Sequence, residues 1–73
     1  MITETFCPIQ NNSSRYEVVS DNIEELITFM LPRIRSQSRA FYEREIKLDL
    51  LATKESLVDS HAGHGTFYIL KLI

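Results

Sequence analysis

Ile23, Leu26, Ile27, Met30 and Ile34 fall at the three-and-four spacing of one helical face, and Pro32 stands among them. No other stretch limits the architecture as tightly. Ser20, Asp21 and Asn22 offer helix caps, and Glu24 and Glu25 place negative charge in the first turn. Pro32 has no amide hydrogen and clashes with the preceding turn, at a cost of ~3 kcal/mol inside a helix. The helix therefore ends near Leu31, or it kinks and resumes with Pro32 in a first turn. Ile34 and Phe41, seven apart, continue a helical face, so the reading is a kinked or two-piece helix over residues 21–42. Phe29 and Leu31 widen the apolar surface, which suits packing on a sheet or a subunit contact.

Flanking segments supply the sheet. Residues 2–8 are extended, with Pro8 marking an edge strand or arm. Gln10–Ser14 is a polar loop, and Arg15–Val19 has the β-branched and aromatic content of a short strand. Together they read as a hairpin. Glu45–Leu50 alternates charged and apolar residues, the pattern of a half-buried strand. Ile46, Leu50 and Leu57 also fit a helical face; the strict alternation favours strand. Residues 66–73 are apolar on both faces apart from Lys71, which suits a central strand or one lying against another chain. The join over 52–65 is long for a hairpin loop, so Lys54–Val58 is expected to form a helical turn. The expected fold is α+β: a small antiparallel sheet with the helix on one face, in the order ββαββ.

Size limits what this fold can do alone. The 73 residues make a single domain, 1–73, and a chain this short buries roughly 60% of its unfolded surface. Its hydrophobic (44%) and charged (25%) fractions are those of a globular protein. Cys7 is the single cysteine, so no internal disulfide supplements the core, and no paired-thiol zinc spacing exists. Cys7 has no basic neighbour and reads as a small, partly buried apolar side chain. Oligomerisation or a protein partner is the remaining supplement. A net charge of −2 counts against general nucleic-acid binding. The N-terminus has no basic start, and nothing approaches the ~20 apolar residues of a membrane span. A cytoplasmic location without a membrane role is expected.

Two clusters could carry chemistry. Asp59, His61 and His64 lie in a segment holding both glycines, Gly63 and Gly65. Two imidazoles and a carboxylate are a plausible transition-metal set, and paired histidines suit general acid–base cleavage of RNA. The same residues equally describe a turn in which the glycines supply positive φ. The second cluster is Arg33, Arg35, Arg39 and Arg44 beside Tyr42. Their planar forks suit phosphate or carboxylate, with Tyr42 available for stacking. The competing reading is that arginines at the end of a helix complement its dipole.

The preferred expectation is a non-enzymatic, cofactor-free interaction module that docks as a homo-oligomer or as an accessory or inhibitory subunit. Its binding residues would be Phe29, Leu31, Arg33, Arg35, Arg39 and Tyr42. The alternatives are a small ribonuclease or metal-dependent hydrolase using His61 and His64, with Asp59 as a further metal ligand, and non-catalytic nucleic-acid binding through residues 33–44.

Overall fold

A computed structural model describes residues 1–8, 14–60 and 66–73. The order is β1 (Thr3–Pro8), β2 (Ser14–Ser20), α1 (Ile23–Met30), α2 (Arg39–Thr53), β3 (Glu55–Ser60) and β4 (Thr66–Leu72). The four strands form one sheet in the order β1-β2-β4-β3, and both helices lie over one face of it. The α+β class, the ββαββ order and a helix layer in two pieces are as the sequence indicated. β4 is central, as its two apolar faces require.

Pairing within the sheet is mixed, not antiparallel throughout as the sequence led us to expect. β1 runs antiparallel to β2, and β3 to β4, as two hairpins. The hairpins join through β2 and β4, which are parallel. The helical connection returns the chain over the sheet, so the second hairpin can enter with its inner strand aligned to β2.

Pro32 divides the helix layer as expected. The Asn22 side chain accepts from the Glu24 amide at 2.9 Å and starts α1. After Met30 the chain tightens into a 3-10 turn, Leu31–Arg33, with Pro32 in its first turn. Ile34 is then extended (φ −113°, ψ 146°) yet buried. It fills the core from a linker, not from a continuous helix, so its helical spacing from Met30 is coincidental.

The second piece corrects the reading of the next segment. Residues 45–50 are not a strand but the middle of α2, which extends well past residue 42. Tyr42, Ile46 and Leu50, four apart, face the core, and their neighbours are mostly good helix formers. The alternation at Leu48 was a false signal, because Leu48 points outward. Lys54 closes α2 in the left-handed region (φ 63°), and β3 begins at once. The helical turn expected over Lys54–Val58 is therefore mainly strand, with Lys54 alone between α2 and β3.

Leu26, Met30, Ile46, Leu50, Val18 and Leu70 are fully buried between the layers. Each large side chain contributes about 1.5–3 kcal/mol by leaving water. Two polar side chains are buried with them, and both have partners. Ser20 Oγ accepts from the Asn22 amide at 3.0 Å, and Ser56 Oγ donates to Asp49 Oδ2 at 2.9 Å.

Candidate functional site

Register decides which side chains share the helix side of the sheet. Phe6 pairs with Tyr16, and Tyr16 with Tyr68, so these three aromatics form a row across β1, β2 and β4. Ring centroids are 5.2 Å apart at each step, and the two tyrosines stack. Phe29 of α1 meets Tyr68 edge-on at 5.9 Å, and the Arg33 guanidinium lies 3.7 Å above the Phe29 ring. Strand alternation is visible in the sequence, but only the register reveals that these rings meet.

The helices cover this row unevenly. Tyr68 is buried, whereas Phe6 at the outer strand is 53% exposed. Along the outer side of α1 lies an open groove of about 380 Å³, lined by Asn22, Glu24, Glu25, Thr28 and Phe29 and closed by Ile2, just before β1. Ile2 and Phe29 make its apolar surface. Glu4, opposite Val18 in the register, stands on the same side of β1 as Phe6. Asp21, Glu24 and Glu25 belong to the start of α1, where carboxylates favour the helix dipole. Glu4 adds a further carboxylate on the same side of the sheet.

This acidic rim holds cationic groups. The Met1 ammonium lies 3.0 Å from Glu25 Oε1 and 3.5 Å from Asp21 Oδ1. Its pKa is raised above the usual 8.0, chiefly by the hydrogen bond to Glu25. Lys47 of α2 approaches Glu24 at 3.7 Å. The opposite, open face of the sheet is mixed in sign. There Lys71 bridges Glu17 at 2.9 Å, which holds the Glu17 carboxyl below its ordinary range and raises Lys71.

The arginine segment is not a single helical surface. Arg33 donates to the Phe29 carbonyl at 2.6 Å, and Arg39 Nε donates to the carbonyls of Leu31 (2.8 Å) and Ile34 (3.2 Å). These bonds satisfy backbone acceptors where Pro32 interrupts the helix. Arg39 begins α2, so Arg35 and Arg39 do not sit one turn apart on one helix, and the C-terminal dipole argument fails for Arg39. Arg35 and Arg44 are exposed. Tyr42 is half-buried against the core with its ring 5.5 Å from Phe41, and Phe29 and Leu31 are likewise half-buried.

Asp59 is exposed near the end of β3. His61 and His64 lie outside the described residues, as do both glycines. Among the described residues no group of three or more metal-binding side chains converges. None of the described helices is long and apolar enough to cross a membrane.

A second surface was absent from the sequence reading. Phe41, Leu48 and Leu51 are 54%, 56% and 66% exposed along the outward side of α2. Ile46 and Leu50 occupy its inward side, so α2 carries apolar side chains both toward the core and away from it. No protein-family model, curated protein or solved structure matches this chain.

Proposed function

We propose that this protein is a small interaction module that acts by docking, as a homo-oligomer or as an accessory or inhibitory subunit, without chemistry of its own. The supporting observation is the outward side of α2. Covering Phe41, Leu48 and Leu51 would add ~1.5–3 kcal/mol for each side chain fully removed from water. For a chain with so small a core, that is comparable to a large fraction of typical folding stability. The lone thiol, Cys7, is compatible with a reducing cytoplasm.

Light scattering across a concentration series tests the self-docking form. The wild type should self-associate, and Phe41→Glu with Leu51→Glu should leave a folded monomer with unchanged circular dichroism. A wild type that stays monomeric at high concentration would remove the homo-oligomer, leaving the accessory-subunit form to be tested by a heterologous ligand.

A further inference from the structure

The groove between β1 and α1 has a geometry and a charge that the outward side of α2 lacks. Among the described residues β1 is an edge strand, with β2 on one side and no strand on the other. On its helix side it presents Ile2, Glu4 and Phe6 in alternation: apolar, acidic, apolar. α1 stops short of covering them, since Phe6 and Glu4 are exposed and Ile2 lines the open groove. Glu24 and Glu25 line that groove from α1.

We propose that this edge receives an extended segment of another protein in which apolar and basic residues take turns at every second position, so that one face of the segment reads apolar, basic, apolar. The segment adds to the sheet beside β1 through main-chain hydrogen bonds, the usual source of affinity in strand addition. Its inward side chains meet the Ile2–Glu4–Phe6 row, with a cation opposite Glu4 and apolar groups opposite Phe6 and Ile2. Cross-strand pairs of this kind each contribute about 0.2–1 kcal/mol. A further cation reaches Glu24 and Glu25, where carboxylates already engage ammonium groups at 3.0 Å and 3.7 Å.

Charge argues against a second copy as the occupant. A copy joined through its own β1 would bring another Glu4, Asp21, Glu24 and Glu25 against the first set. Such like-charge juxtaposition opposes association. The inference rests on the interaction-module reading but uses a different surface.

The probe is a short fluorescent peptide with valine, lysine and valine at every second position and serine between them, titrated into the full chain with amide chemical shifts recorded. Saturable binding is expected, with shifts concentrated over residues 2–7 and 22–29 and affinity falling as salt screens the charges. The double variant Glu4→Lys, Glu24→Lys, folded by circular dichroism, should bind at least about tenfold more weakly, as expected for reversed charges at a complementary interface. The same peptide methylated at every backbone nitrogen should lose binding, because it keeps the side chains but has no amide left to complete the ladder.

Equal binding of the same peptide with glutamate in place of lysine, or shifts confined to α2 or the open sheet face, would overturn the proposal. So would undiminished binding of the methylated peptide, or a dimer of the free protein that Glu4→Lys dissolves. Repeating the titration with Phe41→Glu separates the two ideas. Retained peptide binding there isolates the groove from docking through α2, and loss of binding would count against the groove.

Discussion

Lys54 is the one described residue other than glycine with positive φ (63°), and it stands where α2 turns directly into β3. Its amide donates to the Leu50 carbonyl at 3.0 Å, and its carbonyl accepts from the Leu72 amide at 2.9 Å. The position thus caps a helix and anchors the end of the central strand. A left-handed conformation costs a residue with a Cβ about 1–2 kcal/mol. Glycine avoids that cost but loses roughly 0.5–1 kcal/mol to its freer unfolded state. Lys54→Gly should therefore stabilise by up to about 1 kcal/mol, and Lys54→Val should destabilise. Thermal melts check both, at about 4–8 °C per kcal/mol for a domain of this size. The arginines teach a related lesson. Residue type marked Arg33 and Arg39 as ligand-seeking, but their forks serve equally well as donors to the carbonyls of Phe29, Leu31 and Ile34 where the helix layer breaks.

At the scale of elements, α2 was the segment hardest to read. Glu45–Leu50 satisfies a period of two, while Tyr42, Ile46 and Leu50 satisfy the helical period over a longer span. The longer span prevails because helix formers surround it and Leu48 need not be buried. The two readings predict opposite roles for Leu48. In a strand it would share the buried face with Ile46 and Leu50; in α2 it is 56% exposed. Leu48→Ala should change monomer stability by no more than about 0.5 kcal/mol, as surface substitutions do. Leu50→Ala, which empties a fully buried site, should cost about 2–5 kcal/mol. Urea denaturation at low protein concentration measures both. α1 was legible because cap, acidic first turn and apolar spacing agree, and β4 because both of its faces are apolar. The groove was not. Its acids are far apart in sequence, and only the β1–β2 register brings Glu4 to the side of the sheet that α1 covers.

For the whole molecule, the decisive contact is the parallel pairing of β2 with β4. Hairpins are local and their existence can be anticipated; the way two hairpins join is a long-range choice. β4 takes the inner place because its side chains are apolar above and below. β3 tolerates the edge because Glu55, Leu57 and Asp59 face water on its outer side. Removal of the two outer parts should therefore have unequal effects. A chain beginning at Ser14 loses an edge strand that contributes none of the fully buried side chains, and it should fold with a lowered Tm. A chain ending at Ser60 loses Leu70, Tyr68 and the strand joining both halves, and should remain unfolded by circular dichroism. The same register governs how the fold yields to tension. Thr3 of β1 and Lys71 of β4 flank Val19 from opposite sides at one end of the sheet. A load drawing those two ends apart strains the backbone ladders rung by rung, as a zip opens, and never loads them all at once. However tightly its core is packed, the molecule is mechanically weak in that direction.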